Sequence, residues 1–508
     1  MAYFSLHAYD ADVWIPSFAG LSQAEDIASD LRFAMEAENV ETPRGVLQPM
    51  AATEVLDYTF DAKIETLASF HRRWYTGSGS KDWLVVASGG KLFYKQEGAT
   101  TWSQLPYPTG TSSWQSNVWS FVNYEINPVG STSSVDVLLM SNEKDGMIMV
   151  VPPYTATVSN PNWKIEKINT QGKKFGVIER YAERIWGGAI PEDPDMLMYS
   201  RPYDPTDWTA AGSAEQPEDG AGDILQPSWD GDSFMALRSF GSQLIAFKKH
   251  RVWRILGTDP GEYTFKEQFG GGTPFANTIA IDTERILMVE RDGLSVYDGL
   301  SVNPFQRPMI EKIWKTVNPS AMDQMCAVLF KNRYYLAVPI NGSSVNNALI
   351  VYNAEEGSFL EYTDIYVESL MATEDKLYAT SSTIPGKIMV INYDSWGTGV
   401  STEKPTKWKT AWIDFSRKSI AKGGYEVYFT PEVKGGPVTF RFSIETEKKK
   451  KTKTVTVQST TFKVKQKKIR FGGTSRRFRL CIETLNITKG SVWRMTGGIQ
   501  MVVEIDPD

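Results

Sequence analysis

Imidazole and thiol chemistry in this 508-residue chain rests on five side chains: His7, His71, His250, Cys326 and Cys481. A tetrahedral zinc site draws its ligands from close pairs such as His-x-x-x-His or Cys-x-x-Cys, and neither spacing occurs. Each histidine stands alone, which leaves a His-based triad only a marginal footing. The cysteines lie 155 residues apart. They read as small apolar core residues and suit a reducing compartment better than a disulfide framework.

Carboxylates are abundant but poorly arranged for chemistry. The stretch from Asp204 to Asp232 holds Asp207, Glu215, Glu218, Asp219, Asp223 and Asp230. Their spacing does not match a calcium-binding EF-hand loop, and the stretch reads as a solvated loop. A sialidase-type site would announce itself through Ser-x-Asp-x-Gly-x-x-Trp turns; Ser228-Trp-Asp-Gly-Asp-Ser233 and Asp394-Ser-Trp-Gly-Thr-Gly399 do not fit that pattern. There is no phosphate-cradling Gly-x-x-x-x-Gly-Lys-Ser/Thr loop and no Gly-x-Ser-x-Gly elbow, and Gly270-Gly-Gly-Thr273 is too short to replace one. The expectation is a chain with no catalytic, metal or cofactor-binding residues, and no enzyme.

The strongest charge feature is basic. Lys448, Lys449, Lys450, Lys451 and Lys453 form one run, and Lys463, Lys465, Lys467, Lys468 and Arg470 form a second. The alternation around them predicts a hairpin with outward cations. Such a hairpin would contact nucleic acid or an acidic partner subunit. It would equally serve as a solvated loop guarding a sheet edge against aggregation.

These residues need elements to position them. With 41% apolar side chains and 62 aromatics (24 Phe, 22 Tyr, 16 Trp), the chain has ample material for a large core and is not disordered. Helix signals are few: an imperfect apolar stripe predicts one helix over Ser22 to Asn39, and a shorter one over Met309 to Val317. Elsewhere, short β-branched and aromatic runs alternate with turn dipeptides such as Asp145-Gly146, Asp292-Gly293 and Asn341-Gly342.

The strands recur as a unit. Copies include Trp83–Ala87 with Lys91–Lys95, Val135–Met140 with Met147–Val151, and Arg184–Gly187 with Met196–Ser200. Later copies are Gln243–Phe247 with Val252–Leu256, Ile286–Glu290 with Leu294–Tyr297, and Arg333–Val338 with Ala348–Tyr352. Lys376–Tyr378 with Lys387–Ile391 adds a further hairpin. The copies lie roughly 45 to 60 residues apart, about the size at which four-stranded propeller blades begin. One such meander cannot bury both its faces, but radial packing against neighbours can. The expected fold is therefore all-β: a propeller of about six blades over residues 53–400, with an array of sandwiches as the alternative. Trp83, Trp102, Trp186, Trp208 and Trp253 are the candidate blade-core residues.

Composition divides the chain again near residue 400. Residues 401–508 hold 23 basic and 10 acidic side chains, a net of +13, which leaves 31 basic and 50 acidic, a net of −19, for the first 400. Alternating strands continue past the boundary and predict a small antiparallel sandwich or barrel. Residues 1–52 would form an N-terminal arm with its short helix. The longest apolar run, Met147–Val151, is far short of the ~20 residues of a spanning helix. The N-terminus lacks the basic and apolar regions of a signal peptide, so no membrane anchor is expected.

Several stretches together resemble the β-propeller tail hub, or nozzle, proteins of short-tailed bacteriophages, also called packaged-DNA stabilisation proteins. They are Phe18-Ala-Gly-Leu21, Asp30-Leu-Arg-Phe33, Glu38-Asn-Val-Glu41 and Pro43-Arg-Gly45, then Arg184-Ile-Trp-Gly-Gly188 with Tyr199-Ser200, Asp204-Pro205 and Trp208. Two further blades resemble that family through Gln243–Lys248 with Val252–Gly257 and through Arg291–Gly299. The likeness spans residues 15–400, and the basic C-terminal region matches only as a terminal β-module. It implies a structural protein of the virion tail, assembled in the host cytoplasm as a homo-oligomeric ring of six below the portal adaptor. Such a ring would meet tail fibre or spike proteins, retain packaged double-stranded DNA and conduct it at ejection. The −19 region would suit a DNA channel if its charges line the lumen. A glycan-binding or carbohydrate-active propeller, serving receptor recognition or depolymerisation, is the competing expectation.

Overall fold

The computed structural model describes residues 4–6, 10–26, 28–73, 81–127, 134–154, 160, 162–225, 232–399, 401–414, 421–458, 466–487 and 490–506. The chain is all-β, and a β-propeller forms its body. Seven four-stranded antiparallel units, rather than about six, follow one another in order. Blade 1 spans Ile64 to Gln104, blade 2 Ser120 to Lys167, blade 3 Val177 to Leu225, and blade 4 Phe234 to Glu267. Blade 5 spans Ala280 to Pro304 and blade 6 Cys326 to Thr363. Blade 7 takes three strands from Ser369 to Ile391 and its outermost one from Thr53–Val55, which precedes blade 1 and closes the ring. The extra hairpin near Lys387 is thus a full blade, completed by a strand more than 300 residues away in sequence.

The repeat was visible because the middle strands are buried on both faces. In blade 1, Trp83, Val85 and Ala87 pack toward blade 2, while Leu84 and Val86 pack toward blade 7. In blade 4, Leu244 and Ala246 face blade 3, and Ile245 and Phe247 face blade 5. Two-sided burial replaces alternation with continuous apolar runs, which stand out in a sequence. Of the expected core tryptophans, Trp83, Trp102, Trp186 and Trp208 are buried; Trp253 is half-buried.

The motifs of blade 3 are structural. Gly187 has no room for a side chain, because a Cβ there would enter the Phe175 ring. Arg184 is buried, and its guanidinium donates to the carbonyls of Ser200 (2.8 Å) and Gly220 (2.6 Å). The Trp208 indole donates to the Pro205 carbonyl at 3.0 Å.

Among the described residues of the expected N-terminal arm, 1–52, strands pair into the sheets of the body and no helix forms over Ser22 to Asn39. Ala34–Glu38 is instead a strand, inserted between Ser358–Thr363 of blade 6 and Lys407–Thr410. Sheet pairing on both sides outweighs the weak helical stripe, since helix propensity is only a small term. The second expected helix is shorter than predicted: a 3₁₀ turn at Arg307–Ile310 runs into one α-turn at Glu311–Trp314, burying Ile310 and Ile313.

The inserted strand makes blade 6 part of a nine-stranded sheet. Beyond Lys407–Thr410 follow Phe478–Ile487, Val438–Thr446 and Lys450–Val457. A second sheet orders Phe4–Leu6, Asp10–Ile15, Val492–Asp506, Ala421–Lys434 and Lys467–Ser475. Aromatic pairs join the two sheets: Phe429 with Phe442 (centroids 4.3 Å apart), Tyr425 with Phe478 (4.8 Å), and Phe440 with Trp493 (5.2 Å). One continuous apolar core runs from blades 5 to 7 into this terminal module. Asn39, buried at φ 54°, ties the junction: its amide donates to the Thr363 hydroxyl and the Pro405 carbonyl, both at 3.0 Å. Among the described residues, no helix is long and apolar enough to cross a membrane.

Candidate assembly surface

The two basic runs do not form one hairpin. Lys450–Val457 pairs with Val438–Thr446, from Val438 opposite Val457 to Glu445 opposite Lys450, leaving Glu447 and Lys448 at the tip. Thr446 and Lys449 close the turn, with Thr446 N–H donating to the Lys449 carbonyl at 2.8 Å. Lys450, Lys451 and Lys453 are exposed on the last strand of the nine-stranded sheet. Lys467, Lys468 and Arg470 belong to the other sheet, paired with Ala421–Lys434. The reason is burial: Ile469 and Phe471 alternate with these cations and pack into the core from that second layer. The edges nonetheless adjoin, with the Lys453 ammonium 5.9 Å from the Phe471 ring centroid. Lys468, at 2.6 Å, and Arg470 both pair with Glu426, holding its carboxyl down at about 2. Lys463 and Lys465 lie outside the described residues.

Residues outside the basic runs complete a cleft of about 490 Å³ at the hairpin tip. Trp412 lies there with the guanidinium carbons of Arg477 and Arg479 at 4.8 and 4.6 Å from its ring centroid. Phe478 and Leu480, both fully buried, alternate with the arginines and turn them outward. Around them stand Lys448, Lys449 and Lys450, with Glu445 and Glu447. Glu445 is paired with Arg479 (2.7 Å), Lys409 (3.2 Å) and Lys450 (3.2 Å). Burial works against its charge, yet these cations hold its carboxyl at about 2. Glu447 pairs with Arg477 at 2.9 Å. Lys448 and Lys449 have no ion-pair partner among the described residues. Five cations against two carboxylates give the lining a net of +3. An indole flanked by arginines, rimmed by lysines, offers flat apolar contact and charge together, the residue types that dominate interface energetics. Period-two alternation could have marked Arg477 and Arg479 as outward-facing; nothing in the sequence links them to Trp412.

On blade 3 the acidic stretch forms the exposed loop between the third and outermost strands. Arg201 pairs with Asp207 (3.1 Å) and Glu215 (2.7 Å), and with the Gly212 N–H it holds the Glu215 carboxyl at about 2. Six carboxylates from Asp204 to Asp223 stand against this one cation. Asp230 lies outside the described residues. Tyr203 and Leu225, 72% and 58% exposed, flank the loop. No group of three or more His, Cys, Asp or Glu side chains could hold a metal ion among the described residues.

The innermost strands of the seven blades do not concentrate the acidic excess. They carry Glu65, Glu125 and Glu179 against Arg72, Arg180 and Arg238. The charges on these innermost strands are balanced.

Two histidines meet carboxylates: His71 Nδ1 lies 2.7 Å from Asp82, and His250 Nδ1 2.9 Å from Asp232. No serine, threonine or cysteine side chain hydrogen-bonds either ring among the described residues. Cys326 and Cys481 are buried and unpaired, and burial pushes both thiols up to about 12.

No protein-family model and no curated protein matches the sequence. Solved structures resemble the chain at a distance. PorZ, a bacterial surface component of the type-IX secretion system of Porphyromonas gingivalis, aligns with 82% of the chain at 11% identity and a TM-score of 0.39. The chain spans about half (55%) of that protein's length. The WD40 domain of Neurospora crassa Pan2 aligns with 66% of the chain and 90% of its own, at 9% identity and a TM-score of 0.34. A glycoside hydrolase family 43 arabinoxylan arabinofuranohydrolase from Bacillus subtilis covers 86% of the chain and 95% of its own, at 11% identity and a TM-score of 0.25.

Proposed function

We propose that this chain is a non-enzymatic structural protein, the tail hub or nozzle of a tailed phage. It would work as a ring below the portal adaptor that retains packaged DNA and conducts it at ejection. The observation that carries this reading is the nine-stranded sheet. It continues blade 6 into a terminal module whose outermost strand, Lys450–Val457, is exposed and basic. A propeller with a module joined through a shared sheet can hold a fixed angle to its neighbours, as a closed ring requires. Light scattering on the purified chain, alone and with its adaptor, tests the reading: a ring-sized particle is expected, and a persistent monomer overturns it.

A carbohydrate-binding or carbohydrate-active propeller is the second reading. A cleft of about 390 Å³ between blades 7 and 1 favours it, lined by His71 and by Asp82, Glu97, Glu374 and Asp375. Paired carboxylates are what glycoside hydrolysis uses. Release of reducing ends from a host polysaccharide, abolished in Glu97→Gln, would establish this reading instead.

A further inference from the structure

We propose that the Trp412 cleft of one copy receives the acidic outer loop of blade 3 from a second copy of this chain. The proposal rests on the ring reading above and adds which surfaces meet.

Charge complementarity selects the occupant. The cleft lining carries a net of +3, with Lys448 and Lys449 unpaired among the described residues. From Arg201 to Asp223 the blade 3 loop and the start of the outermost strand carry six carboxylates and one cation, a net of −5. Asp207 and Glu215 are engaged by Arg201, while Glu218 and Asp219 are exposed at the tip of a 3₁₀ turn. Tyr203 in the loop and Leu225 at the end of the outermost strand add exposed apolar side chains. Apolar anchors beside charge, facing an indole and two arginines, have the composition of a protein interface rather than of a phosphate-tracking groove.

Placement selects the symmetry. The terminal module is joined to blade 6, three blades from blade 3 in a ring of seven, so the two blades that carry the surfaces stand roughly 150° apart around the propeller axis. Complementary patches on different flanks make a head-to-tail contact that repeats from copy to copy, and it forms a ring when the rotation between copies closes. A self-complementary dimer would need both patches side by side. The contact is electrostatic and weakens as salt rises.

Charge reversal on the full-length chain tests this. Lys448→Glu with Lys449→Glu, and separately Glu218→Lys with Asp219→Lys, should each lose the oligomer in light scattering while keeping wild-type circular dichroism. Mixing the two variants in equal amounts should restore particles of wild-type mass, because the substituted side chains of the two surfaces are then opposite in sign where they meet. If the wild type forms a ring and both variants form it unchanged, or if mixing restores nothing, this contact is wrong and the ring reading stands. A wild type that stays monomeric overturns both. If Lys448→Glu with Lys449→Glu loses binding to duplex DNA but assembles normally, the cleft is a DNA contact and the proposal falls.

Discussion

Glu38 and Glu361 stand opposite each other in parallel register, at the pairing through which the outer strand of blade 6 continues into the terminal sheet. Two carboxylates meet where propeller and module join. Burial, then the charges of Glu38 and Glu36, push the Glu361 carboxyl up to about 7, against the opposing pull of Lys407. Lys407 also pairs with Glu36 and, at 3.4 Å, with Glu38.

The junction should therefore loosen as pH rises. A carboxyl with a raised folded-state value is protonated in both states at low pH, and its contribution is lost from its ordinary value of 4.5 through about 7. Glu361→Gln should match the wild type near pH 4 and exceed it by roughly 2 kcal/mol near pH 8. Urea midpoints at the two pH values check this. Glu179, which burial also raises to about 7, titrates with the same sign, so the slope should shrink rather than vanish.

Glu41 is the buried anchor of the same junction. It pairs with Arg333 at 2.6 Å and accepts a hydrogen bond from Tyr362, with 2% of its side chain exposed. Glu41→Ala leaves the largely covered Arg333 guanidinium without its counter-charge and should cost about 3 kcal/mol. Glu41→Gln, which keeps an acceptor, should cost less. Equal, small losses in both variants by denaturant titration would refute the anchoring role.

The candidate core tryptophans should differ in weight. Trp186 is fully buried against Tyr199 and Tyr263, with both centroids at 5.0 Å, whereas Trp253 is half-buried. Trp186→Ala should cost about 3 to 5 kcal/mol, and Trp253→Ala less than half of that. Equilibrium unfolding measures both.

Gly187 should not tolerate even alanine. The added methyl would enter the Phe175 ring, an overpacking expected to cost about 1 to 3 kcal/mol. Phe175→Leu in the same chain should recover part of that loss. A melting temperature unchanged in Gly187→Ala would show that the ring moves aside freely.

The middle strands of the blades were legible because two-sided burial writes uninterrupted apolar runs such as Trp83–Ala87 and Leu244–Phe247. The outermost strands were less so: Ser103–Gln104 and Thr264–Glu267 are short and largely exposed, and their placement comes from pairing. The resemblance-bearing motifs proved structural, with Gly187 shaped by Phe175, and Asn39 and Glu41 buried at the junction. The expected helix over Ser22 to Asn39 failed because Ala34–Glu38 found sheet partners on both sides. The lysine runs were legible as charge but not as geometry, since Ile469 and Phe471 carry the second run into the other sheet.

The sequence by itself determined an all-β propeller, its buried tryptophans, the sparse histidine and cysteine, and the division of charge near residue 400. These follow from local composition and a period of two, which each segment carries alone. Only the tertiary structure decided the seventh blade, closed by Thr53–Val55, the shared sheet through Ala34–Glu38, and the meeting of Trp412 with Arg477 and Arg479. Each of these joins segments from 65 to more than 300 residues apart. Such pairings are selected by the burial and hydrogen bonding of the whole chain, not by preferences within any one stretch.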